Sequence, residues 1–449
     1  MTDDKSGLLK SLLGKLPETA ASKLAQAIEM DRLMDGHELP HDAILSGLRP
    51  SLGHSSRTLT PLRLFCQPFE DLLDSGARKT KHKAVIARAS VMPVWTWVST
   101  ILLPAQTQTY LSAAKALILS GKPDEARAQT RSFWIVAASA MRAALGRDQT
   151  AKLLGADEIA DAREMALLLS EGEEIEKVQS RLPKPLPHLT EDILWQLRES
   201  YDALVLRNPD VAPFVAVVAM NRLQRPWEAL RLPLMVSRQT SDALISKTDM
   251  GLVGEILFAR MDAMKAAILA ARHPMFDAQK LVADVGGFAD LSSAVVKEIE
   301  VRRNGEWGQR LLKDRAAIGE VMDGFMERAI KELGGALPMH KGSADFSHAA
   351  PAEKRALALN YARLVVGTRH FAAAGSFAAK HRAALEETSN HLRRYIEDGV
   401  REMRSSGGEK RAIIESQLTF GADVAAVLVS KEEGELIRRR LRAAQAAAA

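Results

Sequence analysis

Three carboxylates near residue 160 come closest, by type and spacing, to a metal site. Asp157, Glu158 and Asp161 lie within five residues of one another in a segment with helix-favouring composition. Carboxylate oxygens are the hard ligands that Mg²⁺ prefers in proteins. An acidic run of this kind indicates a specific site only through the family motif that it resembles.

The run Asp157-Glu158-Ile159-Ala160-Asp161 resembles the aspartate-rich motif of isoprenoid and terpene synthases, which are also all-helical. The resemblance implies that this helix holds Mg²⁺ and a diphosphate substrate, and that a facing helix carries a second carboxylate cluster. The nearest second cluster is Asp290, Ser293 and Glu298, whose serine departs from the family pattern. The chain also has few of the aromatic residues that line such cavities. The alternative is an acidic helix start after Gly155, where the helix dipole favours carboxylates.

The eleven histidines are scattered and show no strong metal-binding spacing. Pro40 lies between His37 and His41 and disfavours a shared helical face. Glu387 and His391 have no second pair with the spacing found in di-iron bundles. The sequence has neither a glycine-rich phosphate loop nor a nucleophile-elbow pattern. We therefore predict no catalytic residue, no metal ligand and no cofactor.

Cys66 is the only cysteine, so the chain cannot form an internal disulfide or a thiolate metal site. Its apolar neighbours, in Leu64-Phe65-Cys66-Gln67-Pro68-Phe69, predict a buried thiol. The first residues are acidic before they are basic, and no cleavable apolar stretch follows them. These features predict a cytoplasmic protein.

A short basic run is a candidate contact for anionic partners. Arg78, Lys79, Lys81 and Lys83 lie within six residues. Clustered cations attract nucleic-acid phosphates or anionic lipid. The alternative is a solvated connection between two helices.

The first helix is predicted to carry leucines on one face and lysines on the other, as an interfacial anchor or a docking helix does. Packing of a terminal helix onto a bundle explains the same pattern, so both interpretations stay open. The leucines are Leu8, Leu9, Leu12, Leu13 and Leu16.

Trp307 lies between two glycines, with Arg302 and Arg303 before it and Arg310 after it. Tryptophan and arginine are the usual anchors of protein interfaces, which makes this group a candidate contact with a partner protein. A tryptophan that joins two helix ends inside the protein is the alternative interpretation.

Charge is unevenly distributed although the net charge of the 449 residues is only +5. Residues 49–88 contain eight basic and three acidic residues, whereas residues 156–182 contain eight acidic and three basic ones. The two segments either face each other within the fold or each face a partner.

Composition and periodicity predict an all-α fold. Aromatic residues make up 5% of the chain, and helix-favouring residue types fill most positions. Apolar residues recur three and four positions apart, as at Ile193, Leu194, Leu197, Tyr201 and Leu204. We predict a multi-helical array of amphipathic helices with short connections and no recognisable repeat period.

Three polar or proline-rich stretches suggest where the array divides. We predict an N-terminal helical unit at 1–182 that contains the basic segment 49–88, a central unit at 183–336, a linker at 337–350 and a C-terminal unit at 351–449. The most apolar part of the uncharged stretch 89–114, residues 91–103, is thirteen residues long, shorter than the roughly twenty needed to span a bilayer. It is therefore predicted to be a buried helix.

The sequence favours a non-catalytic cytoplasmic scaffold or adaptor that binds another protein or self-associates. A first alternative is a peripheral binder of anionic membrane or polyanion that uses the first helix and residues 78–83. A second is an all-helical, Mg²⁺-dependent enzyme acting on a diphosphate substrate.

Overall fold

The structure is a computed structural model that describes residues 13, 16–33, 40–48, 59–76, 81–238, 241–302 and 305–447. Helices dominate these ranges, and the strands in them are two residues long. The predicted all-α, multi-helical array is therefore confirmed. The chain divides into unit 1 (Met1–Leu232) and unit 2 (Pro233–Ala449), which are described separately.

The helices and strands of unit 1 follow the chain in this order: α1 (Glu18–Leu33), α2 (His41–Leu48), α3 (Pro61–Cys66), a 3-10 helix (Gln67–Leu72), β1 (Leu73–Asp74), β2 (Ile86–Ala87), α4 (Arg88–Trp97), a π-helical turn (Val98–Leu102), α5 (Pro104–Leu119), α6 (Pro123–Ala144), α7 (Asp148–Leu153), α8 (Ala156–Ser170), α9 (Gly172–Arg181), α10 (Glu191–Arg207), α11 (Phe214–Arg222) and a 3-10 helix (Pro226–Leu230). Strands β1 and β2 pair in parallel, with Leu73 opposite Ile86.

The core of unit 1 forms where α6 packs against α5 and α8. Trp134 on α6 is fully buried and donates its indole N–H to the carbonyls of Leu64 and Phe65. The Tyr110 and Phe133 rings stack with centroids 4.3 Å apart. Buried aromatic residues contribute large apolar areas, so this cluster stabilises the unit although aromatic residues are scarce in the chain.

The sequence predicted one buried helix over residues 89–114. The structure instead has α4, a π-helical turn and the start of α5 in this segment. Pro104 is the first residue of α5, where its missing N–H has no helical partner to lose. Trp95 and Trp97 are buried, as predicted, whereas Met92 and Ile101 are exposed. None of the described helices is both long and apolar enough to cross a membrane.

Unit 2 contains these elements: α12 (Arg231–Ser237, which includes the unit boundary), α13 (Asp242–Ile245), a 3-10 helix (Asp249–Gly251), α14 (Leu252–Ala270), α15 (Ala278–Glu298), α16 (Glu306–Ala336), β3 (Met339–His340), β4 (Ser343–Ala344), α17 (Ala352–Gly367), α18 (Ala378–Met403), α19 (Gly408–Leu428) and α20 (Lys431–Ala447). The hairpin β3–β4 is antiparallel, with Met339 opposite Ala344.

The apolar residues of the long helix α16 recur at helical spacing and face the interior of unit 2. In α16, Leu311, Ile318, Met322, Phe325 and Leu333 are all buried. This helix packs against α14, α17 and α18, which explains how its 31 residues stay ordered over many turns.

The unit boundary between Leu232 and Pro233 falls inside the predicted central unit 183–336. The proline-rich stretch after α9 belongs to unit 1, because Leu186 forms a β-bridge with Leu223 and Lys184 pairs with Asp71. The predicted linker 337–350 carries the β3–β4 hairpin. The predicted units 1–182, 183–336 and 351–449 stay predictions.

One glycine in unit 2 supports a testable prediction about packing. A Cβ at Gly254 would lie 2.2 Å from the buried Trp307 ring, so Gly254→Ala is expected to lower the free energy of unfolding by about 2 kcal/mol. Gly324→Ala is the control, because a Cβ there meets nothing within 4 Å and alanine favours helix. Urea unfolding of both variants measures the difference, and equal midpoints would contradict the packing shown.

Candidate functional site

The basic and acidic segments identified in the sequence meet inside unit 1. The Lys81 ammonium lies 2.9 Å from an oxygen of Asp161 and 2.9 Å from an oxygen of Glu164, both on α8. It also donates to the carbonyl of Val85. The interpretation that the two segments face each other is confirmed for this contact.

Asp161 is fully buried and has further partners within unit 1. Its Oδ2 accepts hydrogen bonds from the Ser90 hydroxyl at 2.6 Å and from the Ala87 N–H at 3.2 Å. Neighbouring Glu164 accepts from the Ala84 N–H, and burial raises its pKa more strongly than Lys81 lowers it. These contacts attach α8 to the β2–α4 segment.

The other carboxylates of the candidate magnesium site are arranged differently. Asp157 is exposed and Glu158 half-buried, while Asp161 is the one held by Lys81. The second cluster, Asp290, Ser293 and Glu298, belongs to α15 of unit 2. Across the described ranges, no group of three or more His, Cys, Asp or Glu side chains could hold a metal ion.

The residues predicted to contact anions have separate surroundings. Arg78 and Lys79 lie outside the described residues. Residues 1–12, which include most of the helix predicted around Leu8 to Leu16, lie outside them as well. Lys81 forms the buried ion pairs, and Lys83 is exposed. Leu13 is buried against Ala21, Ala25 and Leu48, which favours the packing interpretation for this part of the first helix.

Trp307 is fully buried in unit 2, and its ring lies against Gly254 and Phe258. Its indole N–H donates to Glu255 Oε1 at 2.9 Å. The structure therefore favours the second interpretation, a tryptophan that joins α14 to α16. A contact between the ring and a partner would require unit 2 to open.

The three arginines grouped with Trp307 have different positions. Arg310 donates to Glu255 and Asp262, and its guanidinium lies 4.7 Å from the centre of the Phe258 ring. Arg302 is exposed, and Arg303 lies outside the described residues. Arg310 thus helps attach α16 to α14 within unit 2.

Burial makes the Cys66 thiol unsuited to nucleophilic chemistry. It raises the pKa of Cys66 to about 12, so the thiolate is scarce at neutral pH. His391, half of the Glu387–His391 pair, lies 2.7 Å from the Leu337 carbonyl through its Nε2. The Cys66 thiol is therefore part of the protein interior, and the His391 ring contacts a backbone carbonyl.

Helix α10 presents the most exposed tryptophan of the six in the chain. The side chain of Trp195 is 57% exposed, whereas Trp95, Trp97, Trp134 and Trp307 are buried and Trp227 is half-buried. Leu206, on the same helix, is 88% exposed. Large aromatic side chains are usually mostly buried, so this exposure sets α10 apart.

Contacts on the side of α10 that faces away from Trp195 hold this helix on unit 1. Leu197 and Leu204 are buried on the side that packs against α9 and α11. Thr190 Oγ1 accepts from the Ile193 N–H at the start of the helix. At its end, Arg207 donates to Glu174 at 2.7 Å. The helix is therefore fixed through one face while the other faces solvent.

The exposed face of α10 has two apolar ends and an acidic centre. Trp195 and Leu206 are eleven residues apart, which places them within about 20° of each other around the helix and roughly 16 Å apart along it. Between them, Glu199 and Asp202 lie on the same face and are exposed. We call Trp195, Glu199, Asp202 and Leu206 the α10 outer face.

The α10 outer face does not follow from the apolar stripe through Leu197 and Leu204, which predicts only the buried side of the helix. That stripe lies about 180° from Trp195 on a helical projection. The sequence does contain one signal for this face: Trp195 is a large apolar residue on the charged side of an amphipathic helix.

Comparisons with known proteins found no family model, no curated protein and no solved structure that matches the chain. The role of the α10 outer face therefore has to follow from this chain's own residues.

The Lys81 contacts lead to a prediction with a matched control two residues away. Lys81→Met leaves two carboxylates in the interior without their cation and is expected to lower the free energy of unfolding by roughly 3 kcal/mol. Lys83→Met removes an exposed lysine and is expected to have little effect. Thermal unfolding of the three proteins at neutral pH provides the comparison.

The same variant has a predicted pH dependence. Burial already raises the pKa of Glu164, and loss of Lys81 raises it further, so folded Lys81→Met regains stability as pH falls and Glu164 takes up a proton. The stability gap to the wild type should shrink from neutral toward mildly acidic pH. A gap that is constant over this range would contradict the ion pairing.

Proposed function

We propose that this protein is a non-catalytic, cytoplasmic scaffold or adaptor that binds another protein, or a second copy of itself, through the α10 outer face. The observation that carries the proposal is the exposure of Trp195 beside the buried side of the same helix. Tryptophan is the residue type most enriched among the side chains that dominate protein interfaces. The single, buried Cys66 supports the cytoplasmic part of the proposal.

Covering the α10 outer face releases enough free energy to support binding of a partner. Covering the exposed part of the Trp195 side chain removes apolar surface worth roughly 3 kcal/mol, at about 25 cal/mol per Å². Covering Leu206 adds a comparable amount at the other end of the face. Two such anchors support specific binding once the cost of association is met.

The chemistry of the face also defines the partner. An amphipathic helix commonly docks in a groove through anchors on successive turns. Here the partner groove needs two apolar pockets, for Trp195 and Leu206, and basic groups between them for Glu199, because Asp202 is already paired with Arg198. Such basic groups would raise the association rate and the specificity of binding.

The proposal predicts that Trp195→Ala combined with Leu206→Ser abolishes partner binding and leaves the fold intact, because both side chains are exposed. Affinity capture from native cell extract, together with light-scattering mass measurement, compares this variant with the wild type. Leu153→Ser is the control, since Leu153 is 53% exposed on α7, outside the α10 outer face.

A protein recovered with the wild type and with Leu153→Ser, but not with the double variant, supports the adaptor function. A larger mass for the wild type that falls to the monomer mass in the double variant supports self-association. Unchanged partners and unchanged mass in the double variant would contradict the proposal.

A further inference from the structure

A polar cavity of 480 Å³ opens in unit 1, away from the α10 outer face. Its size lies within the range of small-molecule sites in proteins, roughly 300–1,000 Å³. It is lined by side chains of α3, the first 3-10 helix, α6, α9 and α11, together with Leu59. The lining side chains are Leu59, Arg63, Gln67, Glu70, Arg127, Glu176, Gln179, Ser180 and Arg222.

Arg222 is held rigidly in the wall of this cavity. Its Nε donates to Asp71 Oδ2 at 2.7 Å, and its Nη1 donates to the carbonyls of Gln179 and Leu182, each at 2.6 Å. Its Nη2 has no hydrogen-bond partner among the described residues. The guanidinium is therefore preorganised, with one amine still able to donate.

The charge around Arg222 favours an anion. Asp71 is almost completely buried, and it is paired with Lys184 at 2.8 Å as well as with Arg222. One carboxylate thus faces two cations, which leaves a net positive charge at this wall. Across the lining, three arginines stand against two glutamates. One of these glutamates, Glu176, is already paired with Arg131 at 2.7 Å.

Two further groups in the lining extend the site. Arg127 pairs through Nη1 with the highly exposed Asp124, an ion pair that solvent weakens. Gln179 is buried and donates its Nε2 to the Gln67 carbonyl and to Asp71, which fixes the orientation of its amide. Its Oε1 accepts no hydrogen bond from the described residues. The Gln179 amide is therefore held in a fixed position in the wall, beside the arginine donors.

We propose that this cavity binds a small organic molecule through a phosphate or carboxylate group. The anionic group lies against Arg222, whose remaining amine, Nη2, can donate to either kind of oxyanion, and Arg127 supplies a second positive charge. The site lies outside the α10 outer face, so its occupancy is tested independently of partner binding.

Inorganic phosphate and malonate serve as probes for the two oxyanion classes. Each is titrated into the full-length protein at constant ionic strength, and the rise in melting temperature gives an apparent Kd. Arg127→Gln and Arg222→Lys should each weaken binding about tenfold or more, since each removes charge-assisted hydrogen bonds. Arg163→Gln, at an exposed arginine on α8 that does not line the cavity, should bind like the wild type.

Stabilisation by phosphate alone assigns a phosphate-bearing ligand, and stabilisation by malonate alone assigns a carboxylate. In either case the effect must be lost in Arg127→Gln and kept in Arg163→Gln. Arg127→Gln is the decisive variant, because Arg127 lies at the surface and the substitution spares the Asp71 contacts. No stabilisation by either probe, or equal stabilisation of Arg127→Gln and the wild type, overturns the proposal.

Discussion

Buried carboxylates that are neutralised by cations from distant parts of the chain hold the helices of both units in place. A carboxylate that is removed from water without a partner is strongly destabilising. In unit 1, Asp71 is paired with Lys184 and Arg222, and Asp161 with Lys81. In unit 2, Lys265 joins Asp314 on α16 to α14. Each pair fixes one helix or segment relative to another, so the surfaces of the units depend on these pairs.

Charged and apolar side chains therefore fall into two groups: those that hold the fold together and those that are available to a partner or a ligand. One of the four cations that the sequence suggested for anionic partners, Lys81, neutralises internal carboxylates. The tryptophan that it suggested for a partner, Trp307, packs inside unit 2. Two other groups have features of recognition: Trp195, which is exposed on the fixed helix α10, and Arg222, a largely buried arginine whose rigid guanidinium lines a cavity. Both owe their position to internal contacts.

The sequence predicted what depends on local pattern. The all-α fold and the buried side of α10 at Leu197 and Leu204 follow from helix-favouring composition and apolar periodicity. The basic segment 49–88 and the acidic segment 156–182 meet through Lys81 and Asp161, but the sequence leaves open whether they face each other or a partner, because charge balance does not encode which segments meet in space. Trp195 was missed for a related reason: exposure depends on which face a neighbouring helix covers, and residue type does not specify that face.

Photo-cross-linking tests the central claim most directly. A photoreactive amino acid replaces Leu206 in the native cell, and the same group at exposed Arg163 on α8 is the reference. The account predicts a defined cross-linked product at position 206, either a second protein or a dimer of this chain, and no such product at position 163. Absence of a product at 206, or the same products at both positions, would contradict recognition through the α10 outer face.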